Sequence, residues 1–315
     1  MTNRRIIYVL EPFTVPFGGV AVIYRHVEIL AAHGFAAFVA LRNKPAVDFY
    51  GTTAPQLIHN GMFQVIPDDI LVIPEGLWQA ELRQLRGAPV RRLMFCQNQY
   101  YLPFTADSRA GISEFGVDGV IASSESVRNF FREVYGLTDI PLLPCAIDPA
   151  RFTPARDKRR QIAYMPRKLP RDAKFIEAVF KRRHPRFADV PWVSIDGVSQ
   201  AESARILGES LLFLSLSHME SFGLPPLEAM ACGCLVAGYH GDGGREYMNS
   251  ENGWWAQTGD WRACADGLAA ALDMLDSGGD KLEACYRATA HTAAQYKPHR
   301  LEAELLAFWR LEIAR

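Results

Sequence analysis

His218-Met219-Glu220-Ser221-Phe222-Gly223-Leu224-Pro225-Pro226-Leu227-Glu228 follows the apolar run Phe213-Leu214-Ser215-Leu216-Ser217 and precedes Ala229-Met230-Ala231-Cys232-Gly233. The first run reads as a buried strand. Pro225 and Pro226 cannot sit inside a helix but suit its first turn, so a helix is expected to begin there. Its free N–H groups and positive dipole end then point back at residues 220–224. A strand end, a glycine loop and a helix start make an anion site suited to a diphosphate, at the edge of a parallel sheet. Glu228 is placed in the first turn of that helix, where its carboxylate can accept hydrogen bonds from a vicinal diol. Glu220 stands on the loop before it.

The same alternation extends outward in both directions. Towards the N-terminus, residues 6–10, 36–41, 70–73, 92–96 and 120–122 read as short strands. Phe17-Gly18-Gly19 reads as the turn after the first strand, and residues 20–33 as a helix ended by Gly34. Ser123 is expected to cap a helix running to Tyr135. After Pro144 the pattern restarts, with strands at 162–165, 192–195, 211–216 and 235–237. Helices are expected at 175–183 and 202–210, and three more at 261–275, 281–295 and 299–313. Pro149, Pro154 and the charged run 156–160 mark a connector. The domains expected are therefore 1–148 and 149–298, with a last helix at 299–315. Strands alternating with helices predict an α/β chain with parallel sheets.

Composition narrows the function classes. At 315 residues, two cores are the default. Lys plus Arg number 34 and Asp plus Glu 35, a net charge of -1, which argues against a nucleic-acid binder. Basic clusters at 158–160 and 181–183 are expected to be solvated element ends, with contact at an anionic acceptor or membrane surface as the sharper alternative. The apolar run 6–10 is broken by Glu11 and Pro12, too short for a secretory core, and no run spans a membrane. Six scattered cysteines fit buried free thiols in the cytoplasm, and Cys232 and Cys234 lack the second pair that a zinc site needs.

The order Glu220-x-Phe222-Gly223-Leu224-Pro225-x-x-Glu228-Ala229-Met230-Ala231-x-Gly233 resembles the signature of the family 4 retaining glycosyltransferases, also called glycosyl transferases group 1. The resemblance implies the GT-B fold: two Rossmann-like domains with parallel sheets facing a central cleft. The donor is then held mostly by the C-terminal domain and the acceptor by the N-terminal one. It further implies transfer of a hexose-type sugar from a nucleoside diphosphate sugar to a glycan, lipid-linked or small-molecule hydroxyl, with retention of configuration. No cofactor and no metal are expected, since cationic side chains and helix dipoles face the leaving diphosphate.

Residue by residue, the resemblance assigns Glu228 to the ribose hydroxyls and Glu220 to those of the transferred sugar. Ser221, Phe222, Gly223 and Leu224 would hold the donor through backbone amides. Gly18 and Gly19 resemble the glycine-rich loop of the N-terminal domain, whose backbone N–H groups would approach the donor diphosphate, and Ile147-Asp148-x-x-Arg151-Phe152-x-Pro154 resembles the interdomain connector. Gly243-Gly244-x-Glu246 resembles a further feature at the donor pocket's edge. Arg167 matches a phosphate-binding Arg, but Asp172 stands where the family has Lys. Lys168, Arg171 or Lys174 are the candidates to replace it. Amides replace the family's frequent His, so Gln97, Asn98 and Tyr100 are the acceptor candidates, with His218 lining the cleft. Loops 12–17 and 100–104 are expected to shape acceptor choice. The departure at Asp172 keeps a non-catalytic sugar-nucleotide binder open as the alternative, beside a GT-B epimerase or phosphorylase.

Overall fold

The computed structural model describes residues 4–10, 13–15, 17–60, 64–75, 88–102, 112 and 115–315. Residues 12, 16, 103 and 104 of the acceptor-shaping loops lie outside this set. Contacts divide the chain into two compact units, residues 1–145 with 299–315, and residues 146–298.

Unit 1 is built on a parallel sheet of β1 (Ile6–Leu10), β2 (Ala37–Leu41), β3 (Gln56–Ile58), β4 (Ile70–Pro74), β5 (Arg91–Cys96) and β6 (Gly119–Ala122). Their order is β3-β2-β1-β4-β5-β6. The central strands are buried on both faces, as in any parallel sheet covered by helices, so they read as unbroken apolar runs. Strand β3 escapes such a reading because only Leu57 of its three residues is even partly buried.

Helix α1 (Gly18–Ala32) follows β1, and α2 (Glu125–Tyr135) follows β6. Two sequence expectations are corrected here. Gly18 and Gly19 are the first two residues of α1 itself, not a turn before it, so their N–H groups are among the helix's orphan donors. The cap of α2 is Ser124, whose hydroxyl accepts from Val127 N at 3.2 Å, while Ser123 Oγ donates to Gln97 O. A cap must lie three residues before the amide it serves, and only Ser124 satisfies that spacing.

The last helix, α8 (Pro298–Ala314), packs on unit 1 through fully buried Leu305 and Trp309. Trp309 Nε1 donates to Tyr8 Oη at 3.3 Å, so the Tyr8 proton is directed to His26 Nδ1, also at 3.3 Å. That arrangement puts the imidazole proton on Nε2, which has no partner among the described residues. Burial lowers the His26 pKa from 6.5 to about 3. A depressed histidine pKa means that the unfolded chain binds the proton first, so stability present above pH 6.5 is lost as pH falls. Between pH 6.5 and 5 the loss is expected to be about 2 kcal/mol. Glu75 and Glu228, both raised to about 7, act in the opposite sense. Urea melts of wild type and His26→Leu at both pH values isolate the histidine. Equal pH dependence of the two proteins would refute the assignment.

Unit 2 carries β7 (Arg159–Tyr164), β8 (Trp192–Ser194), β9 (Ser210–Ser217), β10 (Leu235–His240) and β11 (Trp254–Ala256), in the parallel order β11-β10-β9-β7-β8. Helices α3 (Pro170–Arg183), α4 (Gln200–Glu209), α5 (Leu224–Ala231), α6 (Trp261–Ser277) and α7 (Asp280–Ala294) connect and cover them. Its core joins Ile162, Leu212, Leu214 and Leu235 of the sheet to Phe180 and Leu268 of the helices.

The basic clusters are largely neutralised within the unit. Arg160 pairs with Asp276, Lys181 with Glu177 at 2.6 Å, and Arg183 with Asp266 at 2.9 Å. Lys158 Nζ instead donates to the carbonyls of Gly208 and Cys232, at 3.0 and 2.6 Å, closing the C-terminal ends of α4 and α5. All six cysteines are free and buried. Burial pushes the Cys232 thiol up to about 12 and the Cys234 thiol to about 11. The Cys234 thiol donates to Leu207 O and Ser210 O at 3.2 Å. Among the described residues no helix is long and apolar enough to cross a membrane.

Candidate functional site

Unit 2 has the doubly wound order in which the second strand in sequence lies outside the first, and the third lies on the first strand's other side. Strand order therefore reverses between β7 and β9, and ligands of such sheets bind at the carboxyl ends of that strand pair. The segments leaving those two strands are residues 165–169 and 218–223, which contain most of the C-terminal residues singled out from sequence.

Lys168 and Glu220 meet here. Lys168 Nζ lies 2.8 Å from Glu220 Oε1, with side-chain exposures of 17% and 26%. The same ammonium donates to His218 O at 3.4 Å and Met219 O at 3.3 Å. A half-buried ammonium with three oxygen partners is a fixed positive charge at a sheet edge. Met219 has φ 47, a left-handed backbone that is uncommon for a long side chain. Its side chain is exposed.

Arg167 is exposed beside Lys168, and Arg171 is exposed in the first turn of α3. Asp172 also lies in that turn, where the helix dipole favours a carboxylate, and it accepts from Tyr239 Oη at 3.1 Å. The position that carries a cation in the resembling family is therefore used here to tie α3 to β10.

Gly223 is the N-cap of α5, with φ 84, and Pro225 and Pro226 follow in the first turn. Its carbonyl accepts the Tyr247 hydroxyl, and Phe222 packs against Tyr247 and Tyr296 at ring centroid distances of 5.6 and 5.1 Å. The aromatic cluster anchors the loop that leads into α5. Ser221 is fully buried. Gly243 N donates to Glu220 O at 2.9 Å, so the Gly243-Gly244 turn supports the loop from a third side.

Glu228 is corrected in place. It is the fifth residue of α5, in the second turn, because the helix begins at Leu224 and not at the prolines. Its carboxyl is half-buried, and desolvation raises its pKa from 4.5 to about 7 while Arg151 pulls it back. Arg151, which also bonds Gln200, comes from the connector-like motif, so that motif supplies a charge to the site.

In unit 1, Gly18 and Gly19 at the start of α1 and Gln97 after β5 come together. Gln97 Nε2 donates to Gly19 O at 3.1 Å, and a Cβ at Gly19 would lie 3.1 Å from the same nitrogen. Asn98 is buried, its side chain accepting from Tyr100 N at 3.1 Å, so it shapes the turn at Gln99–Tyr101. Tyr100 is half-buried. Two residues were missed from sequence. Tyr247 carries no motif signal, since its role is to reach Gly223 O across the loop. Glu75, 8% exposed, accepts from Gln97 N at 3.1 Å. An acid directly after the buried run 70–74 was the signal that marks it.

Residues 195–289 match the family model described as glycosyl transferases group 1. Over 285 residues, 88% of this chain and 85% of its relative, the sequence is 27% identical to an alpha-1,6-glucosyltransferase of Actinobacillus pleuropneumoniae serotype 7 (strain AP76). Among solved structures, the chain resembles the sucrose-phosphate synthase of Thermosynechococcus elongatus, with TM-score 0.74, 15% identity and 99% of each chain covered. A glycosyltransferase from Rickettsia africae ESF-5 matches with TM-score 0.75 and 16% identity over 100% of both chains. Anabaena HepE, solved in complex with UDP-glucose, matches with TM-score 0.70 and 13% identity over 97% of this chain and 99% of that one.

Proposed function

We propose that the chain is a group 1 glycosyltransferase, a retaining hexosyltransferase using a nucleoside diphosphate sugar, a reading supported by the match of residues 195–289, the 27% identical glucosyltransferase and the α/β GT-B fold. UDP-glucose is the first donor to test, since one relative is named a glucosyltransferase and one structural neighbour was solved with UDP-glucose. The observation that carries the reading is the Lys168–Glu220 pair at the switch point of unit 2, beside the N-terminus of α5.

In this reading the diphosphate occupies the α5 N-terminus, bonded by the amides of residues 222–224, with Arg167, Lys168 and Arg171 around it. Lys168 supplies the second cation from the position next to Arg167, which frees Asp172 for Tyr239. Donor binding redirects the Lys168 ammonium from Glu220 to the phosphate, and Glu220 turns to the hydroxyls of the sugar. The bond from the anomeric carbon to the diphosphate oxygen breaks as the acceptor oxygen bonds to the same face. The acceptor's proton passes to the leaving phosphate oxygen, and the nucleoside diphosphate departs. Fixed cations at that oxygen stabilise the charge that develops there without reorganising. The location proposed is cytoplasmic, with membrane contact at most peripheral.

Nucleotide release from a panel of nucleoside diphosphate sugars, with and without acceptor extract, tests the reading. Acceptor-dependent release with an α-linked product from an α-linked donor is the expected result, unchanged by EDTA. Donor binding without release or transfer across the panel would overturn it in favour of a non-catalytic binder, and an epimerised donor in favour of an epimerase.

Glu228 adds a pH signature. A ribose diol donates to its ionised form, and with a pKa of about 7 the ionised fraction rises about tenfold from pH 6 to 8. UDP-glucose affinity is expected to rise by about the same factor, since only the ionised fraction is competent. Its phosphates do not titrate in that interval. Calorimetry on Glu228→Gln should give weak, pH-independent binding. A pH-independent wild type would refute the diol role.

A further inference from the structure

Leu311, near the end of α8, is 69% exposed, the most exposed large apolar side chain among the described residues. A lone exposed leucine is ordinary on a protein surface. Leu311, however, borders a cavity of about 450 Å³ in unit 1, walled by Leu93 of β5, Val120 of β6, Leu142 and Phe308. Arg91, Asp118 and Gly119 border it too, so it lies at the amino ends of β5 and β6. Gln97 and the other residues singled out on unit 1 stand at the carboxyl ends.

Charge along the same helix face says what can cover this cavity. Glu304 borders it two turns before Leu311 and has no ion-pair partner among the described residues. Arg315 borders it one turn after Leu311, and there Arg91 and Arg315 share the buried carboxylate of Glu312. The face is therefore acidic at one end and basic at the other. A partner of uniform sign, such as an anionic membrane, is repelled at one of the two ends. A second α8 laid antiparallel brings unlike ends together at both.

The register supports that pairing. A two-fold axis centred between Trp309 and Arg310 sets position 308 opposite 311 and, from the same centre, position 304 opposite 315. At about 100° per residue these four positions fall within about 60° of helix arc. They share one flank, and a two-fold axis perpendicular to both helices keeps like flanks together. Ala307, exposed on the same face, is small enough to let the helices approach closely.

We propose that α8 is a self-complementary dimer interface. Two copies of the chain pair this helix antiparallel, with each Leu311 seated against Phe308 at the other's cavity and each Glu304 facing the other's Arg315. A single helix pair is a small interface, so association is reversible, with a dissociation constant of about 10 μM.

Sedimentation velocity on the full chain, from about 1 to 200 μM, tests the pairing. The wild type should move from the mass of one chain towards that of two across this range. Leu311→Asp places a charge against the apolar wall and should raise the dissociation constant by about a hundredfold or more. Its melting temperature should equal that of wild type, because the side chain is exposed in the single chain. Glu304→Arg sets like charges opposite each other and should weaken association by about tenfold. Adding Arg315→Glu to that variant restores unlike charges and should bring association back to within about threefold of wild type. A wild type that stays monomeric to the highest concentration would overturn the proposal and leave the face to a different partner. A dimer indifferent to Leu311→Asp would overturn it by placing the contact elsewhere. A double variant no tighter than Glu304→Arg alone would overturn the antiparallel register.

Discussion

Lys168→Met is expected to lower turnover of the nucleotide sugar by about 10²- to 10³-fold, the usual cost of removing one preorganised charge from a developing anion. The ammonium is held 2.8 Å from Glu220 and within 3.4 Å of two loop carbonyls, so its position is set before any donor arrives. Methionine keeps the length and apolar stem but cannot stabilise the leaving diphosphate, and it leaves Glu220 without its cation. The fall should therefore appear mainly in kcat, with KM changing less, because the charge matters most when the glycosidic bond breaks. Lys168→Arg should recover part of the activity. Steady-state release of nucleotide decides the matter, and a Lys168→Met enzyme within threefold of wild type would remove Lys168 from the mechanism. Arg167→Ala is a useful companion, since its side chain is exposed and the Lys168 ammonium is not.

Gly243→Ala is expected to be as damaging by a different route. A Cβ at that position would lie 1.9 Å from Ser221 C, 2.0 Å from Ser221 O and 2.2 Å from Phe222 N. These are backbone atoms of the donor loop, so no side-chain rotation relieves the clash. Either the Gly243–Glu246 turn or the loop must move, and the Gly243 N to Glu220 O hydrogen bond of 2.9 Å is lost with it. Overpacking of this kind costs about 1–3 kcal/mol in stability. A loop displaced by an ångström should weaken donor binding or turnover by about 10²-fold. Arg245→Ala, at an exposed position in the same turn, is the control expected to behave as wild type. Melting temperature and UDP-glucose affinity measured on both variants check the argument. Normal donor affinity in Gly243→Ala would show that the turn does not brace the loop.

Much of the local structure of the candidate donor site was legible from residues 213–233, because every device there is local. A parallel strand buried on both faces leaves an apolar run, prolines suit a helix start, and a glycine supplies the left-handed cap at φ 84. The choice between Lys168, Arg171 and Lys174 was not legible. All three lie near Arg167 in sequence, and only the direction of each side chain separates the one that meets Glu220 from the exposed ones. Asp172 read as a missing lysine because its partner, the Tyr239 hydroxyl, is 67 residues away.

The residues expected to face the acceptor show the same division. Gln97 and Asn98 were singled out as one polar pair, yet Gln97 joins the Glu75–Gly19 linkage while Asn98 is buried in shaping a turn. Adjacent residues leaving a strand point in different directions, and spacing alone does not say which faces the sheet edge.

The sequence by itself determined the class: two sets of alternating strands and helices, a helix start after a buried strand, and two glutamates with seven residues between them. Those features depend on local backbone preference and burial, which neighbouring residues encode. Tertiary structure alone decided which polar groups meet at each switch point, Lys168 with Glu220 in unit 2 and the Gln97 backbone N–H with Glu75 in unit 1. Strand order within a sheet brings those residues together across 52 and 22 positions of chain, and strand order is set by the packing of whole layers, not by any segment read alone.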